Sequence, residues 1–313
     1  MLRRDGGLSG ISGFPPAPTT ASQLASPAAT FAELSDVAEA CLVFMARLLG
    51  SEELTIIALG KFGGREISYG ADLDVLFVGD EIRPAQNLTI AMAQPTAEGN
   101  IWALDARLRP EGEKGPLVCS LETYESYYAS RAQPWELQAL TRARAVSGPL
   151  QDEFMKIAKR AWARAGEDGD LLTRINNMLE RIRRERGSGS DFLDLKTGNG
   201  GIIEAEFLVQ ALQMRGNIWE QNWERAVDRL QERGDLGSSD VAKLKNSYAF
   251  LRRCELVLRR YDNRGVSTLP IDPGQQRKFA IRLGYHEFEA FHRDYLDARD
   301  AIHTLYQQLV TPA

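Results

Sequence analysis

The chain is poor in the residues that build metal clusters and covalent frameworks. Its 313 residues include only three cysteines and three histidines. Cys41, Cys119 and Cys254 are scattered and form no Cys-x-x-Cys pair, which argues against both a disulfide framework and a zinc site. Each is expected to be a small buried apolar residue. His286, His292 and His303 all fall in the last helical region without ligand-type spacing, and they read as structural. No apolar run is long enough to span a membrane, and nothing recurs at solenoid periods. A basic surplus is also missing. Lys and Arg number 38 against 43 Asp and Glu, a net charge of −5, which argues against a generic nucleic-acid binder. The one dense basic run, Arg181 to Arg186, is by default a solvated helix face. Met1-Leu-Arg-Arg is followed by no apolar core, so a signal peptide is not expected. Residues 1–30 are rich in Gly, Ser, Pro and Ala and predict a flexible tail. A cytoplasmic protein without membrane or nucleic-acid partners is the simplest expectation.

Apolar residues make up 43% of the chain, enough to fill real cores, and the length predicts two domains. The most informative stretch is Gly60-Lys-Phe-Gly-Gly-Arg-Glu-Ile-Ser-Tyr-Gly-Ala-Asp-Leu-Asp74. The apolar run Leu54 to Leu59 precedes it, and Val75 to Val78 follows it. The segment therefore reads as strand, glycine-rich turn, short polar helix and second strand. Residues i and i+2 of a strand share a face, so Asp72 and Asp74 are expected side by side. Carboxylates that close repel unless a cation lies between them, and Mg²⁺ is the natural occupant because it shares oxygen ligands with phosphates. Gly63 and Gly64 are expected to bring backbone N–H groups close to a phosphate. Taken singly, Asp-x-Asp more often marks a turn or a solvated strand end, and Gly-Gly is often only a turn. The combination between two strands is what carries the reading.

Ile101 to Pro110 reads as another strand. Its alternation places Ala103, Asp105, Arg107 and Arg109 on one face. This is either an ion-pair ladder or, if the strand lies beside Asp72 and Asp74, a third carboxylate with two guanidinium groups aimed at phosphates. Three acids around two Mg²⁺ ions suit in-line displacement at phosphorus.

Elsewhere the pattern is helical. Phe31 to Leu49, Leu121 to Ser130 and Trp135 to Val146 have helical spacing, the last with Pro134 before it. Strands are confined to residues 54–118. From Gln151 onward nearly everything has helical period, interrupted at Gly187 to Ser190 and at Thr197 to Gly201. Strands first and helices after predict an α+β catalytic unit followed by a helical bundle. Glu204 and Glu206 open one of those helices, where acids complement the helix dipole.

Four ordered blocks carry a family resemblance. Gly60 to Glu66 with Ser68 to Asp74 resembles the signature of glutamine synthetase adenylyltransferases, members of the nucleotidyltransferase superfamily. Asp105-Ala-Arg-Leu-Arg-Pro-Glu-Gly-Glu-Lys-Gly-Pro-Leu-Val118 resembles the next block of that family. Trp135 to Arg144 and Asp194 to Gln210 resemble two further blocks. The resemblance implies a mixed nucleotidyltransferase sheet with flanking helices at residues 31–149 and an all-α bundle at residues 150–313. It implies ATP as substrate, two Mg²⁺ ions, glutamine synthetase as partner, and a PII-type signal protein as a regulator. Asp72, Asp74 and Asp105 would be the metal-holding and catalytic residues. Gly60, Lys61, Gly63, Gly64, Arg107 and Arg109 would hold the nucleotide. Lys196, Glu204 and Glu206 would position the nucleotide or the protein substrate. The implied activity is transfer of AMP to a tyrosine of glutamine synthetase or its phosphorolytic removal. A non-catalytic nucleotide-binding module and a nucleotidyltransferase with another acceptor are the alternatives.

Overall fold

Two apolar strands lie at the centre of the structure, a computed structural model that describes residues 26–97, 99, 101–186, 193–260 and 265–311. The tail expected at the N-terminus lies outside the described residues up to residue 25, as does the break at Gly187 to Ser190. Strand β1 (Thr55–Ala58) pairs antiparallel with β2 (Leu73–Val78), Ile57 opposite Leu76. On its other side β1 pairs antiparallel with β5 (Arg144–Ser147). Two very short strands, β3 (Leu104–Asp105) and β4 (Val118–Cys119), pair parallel with the two ends of β2, giving five strands in all.

Strand alternation sorts the sheet into two cores. Ile56, Ala58, Leu73, Val75 and Phe77 face helices α1 (Pro27–Leu48) and α3 (Ile82–Ala93). Ile57, Leu76 and Val78 face the opposite way. They share one continuous core with α4 (Leu121–Ser130), α6 (Gln151–Gly166), α7 (Leu171–Arg186), α8 (Ile202–Gly216), α9 (Trp223–Arg233), α10 (Ser238–Arg260), α11 (Pro273–Arg282) and α12 (Phe288–Leu309). The sheet thus packs directly against the bundle, and Asp74 has the same parity as the bundle-facing Leu76 and Val78. The α+β architecture anticipated above is the one observed.

Several local expectations are corrected. Helix α1 starts at Pro27, four residues early, because Ser26 caps it by accepting from Ala29 N at 3.2 Å. The strand expected over 101–110 survives only as β3. The Asp105 carboxylate accepts from the backbone N of Arg107 at 3.0 Å, and this turn ends the strand. The helix expected over 135–146 stops early. Helix α5 (Pro134–Ala139) tightens into a 3₁₀ turn at Leu140–Arg142, and the chain then enters β5, beyond the range where strands were expected. Antiparallel pairing with the fully buried β1 outweighs the local helical spacing there. Cys119 and Cys254 are buried as anticipated, whereas Cys41 is only half-buried.

The joint between sheet and bundle is ionic. The Glu66 carboxylate pairs with Arg142, and Trp223 N donates to it at 2.6 Å. Arg252 Nη2 donates to the Glu66 backbone oxygen at 2.6 Å, and Asn222 Nδ2 donates to Gly64 O at 3.2 Å. Removing one member of a buried pair strands the other's charge, at a cost of about 3–5 kcal/mol. Glu66→Ala is therefore expected to lower unfolding free energy by about 3 kcal/mol or more. Denaturant midpoints at fixed pH check this, and a change below about 1 kcal/mol would refute the joint.

Candidate active site

The left-handed Gly60 and the first turn of chain after β1 shape the site. Helix α2 (Gly60–Gly63) opens with Gly60 at φ 52°, and an added Cβ there would overlap Asp74 Oδ2. Only glycine both takes that conformation and leaves room for the carboxylate. Across the β2–β3 pairing Asp74 stands opposite Asp105. Asp72 lies just before β2 and is exposed, while Asp74 and Asp105 are half-buried. Burial, followed by the nearby charge of Asp105, raises the Asp74 carboxyl to about 6, with Lys61 and Lys196 pulling the other way.

Lys61 Nζ lies 2.7 Å from Glu206 Oε1 on α8. Burial lowers the Lys61 ammonium below its ordinary value, only partly offset by Glu206. Burial also works against a charged Glu206, but Lys61, Arg142 and Arg252 outweigh it and hold that carboxyl at about 2. Lys196 sits in the turn before α8. Asp194 Oδ1 accepts from Lys196 N at 2.7 Å and from Thr197 N at 3.0 Å, which fixes the turn. The structure therefore gathers Gly60, Lys61, Asp72, Asp74, Asp105, Lys196 and Glu206 in one place.

Other candidates are engaged elsewhere. Arg107 donates through Nε to both Asp105 oxygens, at 2.9 and 3.0 Å, so it is an ion-pair partner rather than a free phosphate ligand. That hydrogen bonding holds the Asp105 carboxyl below its ordinary value. Arg109 gives its guanidinium to the carbonyls of Ala106, Glu113 and Gly115 at 2.9, 3.2 and 3.1 Å and so shapes the loop after β3. Gly63 and Gly64 make no open phosphate cradle. A Cβ on either would strike Arg142, its backbone oxygen or its guanidinium, so these glycines permit close packing. Glu204 points into the bundle, where it pairs with Arg183 at 2.6 Å and His303 Nδ1 at 2.8 Å. Residues i and i+2 on a helix face different ways, which separates Glu204 from Glu206. Sequence reasoning passed over Arg142, Tyr248 and Arg252, which surround Glu206. A polar stripe at helical spacing on α10 was the available signal for the last two.

Among the described residues, no three acidic, histidine or cysteine side chains are grouped to hold a metal by themselves. Mg²⁺ does not need that, since it commonly takes one or two carboxylates and completes its shell with phosphates and water. Asp72 and Asp74 fit that part. Asp105 would join only by sharing oxygens now bound by Arg107.

Comparison with known proteins bears on this geometry. Residues 22–157 match the family model for glutamate-ammonia ligase adenylyltransferase, and residues 171–310 match that for GlnD PII-uridylyltransferase. Bifunctional glutamine synthetase adenylyltransferase/adenylyl-removing enzymes are the curated relatives. Those of Streptomyces avermitilis and Streptomyces coelicolor are each 32% identical over 82% of the chain. That of Nitrosococcus oceani is 29% identical over 89%. The chain belongs to the glutamine synthetase adenylyltransferase family. It spans 28–33% of the length of these relatives. In this member of the family the adenylyltransferase model covers the whole sheet, while the second model covers helices α7 to α12. Among the described residues no helix is long and apolar enough to cross a membrane.

The Asp74 carboxyl has a pH signature. Its value in the folded chain lies above the ordinary 3.8, so the stability it contributes is full below about pH 4 and is lost as pH rises through about 6. Asp74→Asn mimics the neutral form. It is expected to stabilise the nucleotide-free protein by about 1–2 kcal/mol at pH 8 and to leave it unchanged near pH 4. Unfolding curves at the two pH values check this; a variant less stable at pH 8 would show that Asp74 is not strained by its neighbours.

Proposed function

We propose that the chain is a nucleotidyltransferase that transfers AMP from ATP to a tyrosine of glutamine synthetase or removes it by phosphorolysis. The observation that carries the reading is the placement of Asp74. It is opposite Asp105 across the sheet and beside Asp72, with two lysines from different parts of the chain balancing its charge. A lone structural acid has no need of that arrangement, whereas a site that gathers phosphates and a cation does.

Mg²⁺ held by Asp72 and Asp74 would offset triphosphate charge and polarise the reacting phosphorus. Lys61 and Lys196 face the same ground from the sheet and the bundle and supply cationic contacts to phosphate oxygens. Asp105 stays anionic because Arg107 binds both its oxygens. Gly60 leaves room for the Asp74 carboxylate. In the forward direction the tyrosine oxygen attacks the α-phosphorus, its bond to pyrophosphate breaks, and pyrophosphate and the phenol proton leave. In the removing direction a phosphate oxygen attacks the phosphorus of the adenylyl-tyrosine, the bond from phosphorus to the tyrosine oxygen breaks, the phenol regains its proton, and ADP is released. Positioning supplies much of the acceleration in either case. The bundle offers the surface for the protein substrate, since a sheet of five short strands has little area to recognise a large enzyme.

Incubation with glutamine synthetase, Mg²⁺ and labelled ATP, with the label followed on and off the synthetase, tests the reading. Asp74→Asn and Asp72→Asn are each expected to lose several kcal/mol of transition-state stabilisation, about a thousandfold in rate, with the fold intact. Near-normal turnover in either variant would refute the assignment. ATP binding without AMP transfer or ADP formation would favour a regulatory module.

A further inference from the structure

One face of α10 is polar although it lies inside the bundle. Tyr248, Arg252, Glu255 and Arg259 recur at intervals of four, three and four residues, so they line a single stripe. All four are buried. The stripe is linked along its length by hydrogen bonds and ion pairs. Tyr248 Oη donates to Glu206 Oε1 at 2.8 Å, and Arg252 Nη1 donates to Tyr248 Oη at 3.1 Å. Glu255 lies 3.0 Å from Arg252 Nε through one oxygen and 3.0 Å from Arg259 Nη2 through the other.

Both ends of the stripe lead to the candidate site. At the Tyr248 end, Glu206 Oε1 is the atom that also receives Lys61 Nζ. At the far end, Arg259 Nε donates to Val266 O at 3.1 Å. The chain from Val266 runs straight into a short ladder with the Lys196 turn. Leu195 N donates to Ser267 O and Leu269 N to Leu193 O, both at 2.9 Å, with Asp194 bridged to Thr268. The same segment comes close to the chain that leads into Asp72, since a Cβ on Gly265 would lie 3.1 Å from Gly70 O, two residues before Asp72.

Burying so many ionic groups is costly, and an apolar stripe would commonly pack at least as well. The cost is explained if the groups hold something in place. We propose that the α10 stripe is a positioning element that sets the two lysines flanking Asp74: Tyr248 acts through Glu206 on Lys61, and Arg259 acts through Val266 and the Asp194 turn on Lys196. None of the four touches the reacting atoms. The proposal rests on the reading of Asp74 as the centre of a phosphate-handling site, but its geometry can be tested without nucleotide.

Two conservative variants separate the arms. Tyr248→Phe removes one hydroxyl and keeps the ring stacked on Trp223 at 3.8 Å. Arg259→Lys keeps the charge beside Glu255 and loses the Nε donor to Val266. Reductive methylation of the full chain, read lysine by lysine by mass spectrometry, reports how firmly each amine is held. Tyr248→Phe is expected to speed labelling of Lys61 about fivefold, the factor one lost hydrogen bond implies, and to leave Lys196 unchanged. Arg259→Lys should do the reverse. Double variants with Lys61→Ala and Lys196→Ala then report on Mg²⁺–ATP affinity. Tyr248→Phe should weaken binding in the wild-type background and not in Lys61→Ala, and Arg259→Lys should behave likewise toward Lys196→Ala. Unchanged labelling of both lysines, or equal changes in both that track a falling melting temperature, would overturn the proposal and leave the stripe as packing. If the lysines respond as expected and the wild-type chain binds no Mg²⁺–ATP, the positioning element stands and the functional reading falls.

Discussion

The arrangement of this chain depends on charges taken out of water and made to satisfy one another. Lys61, Arg142, Arg252 and Arg259 meet Glu66, Glu206 and Glu255 where the sheet abuts the bundle, and the ion pairs among them leave one positive charge over. A buried cation without partners would cost far more than a protein of this size can spare. Glu66 and Glu206 each accept from groups on other segments, so neither can be satisfied by its own element alone, whereas Glu255 is paired by Arg252 and Arg259 of its own helix. The sheet keeps its place because Glu66 is held from β5's approach, from α9 and from α10 together. The surplus positive charge falls where Arg252 and Arg259 share Glu255, while Lys61 is paired with Glu206.

Much of this was legible in the residues. Alternation sorted β2 into Leu73, Val75 and Phe77 on one face and Asp74, Leu76 and Val78 on the other because period two is fixed by backbone geometry, whereas Asp72 lies just before the strand. The helical region after Gln151 was legible for the same reason, as apolar residues there recur at three and four. What failed were places where a distant partner decides. Arg144 to Val146 have local helical spacing, yet they pair with β1 as part of β5. Arg109 looked like a phosphate ligand by parity, but its own loop supplies three carbonyls that absorb the guanidinium. Glu204 and Glu206 were indistinguishable at a helix start. Only the fold shows that one turns toward Arg183 and His303 and the other toward Lys61.

The glycines of the motif divide along the same line. Gly63 and Gly64 answer to Arg142, a residue about eighty positions away, so their role could not be read from the neighbouring strands. Gly60 answers to Asp74 within the same hairpin, and its need for a left-handed backbone is local. A phosphate-cradling role was the natural reading for all three, and close approach of chain to chain is what they share.

Gly60 also limits how this site can change. A residue with a β-carbon at that position would meet both an unfavourable backbone angle and the carboxylate beneath it. A single-step replacement therefore cannot adjust the angle first and the carboxylate later, because both requirements fail at once. The position admits one letter of the amino-acid alphabet, and the carboxylate it accommodates is the one set opposite Asp105. Any change in this pocket has to proceed around Gly60.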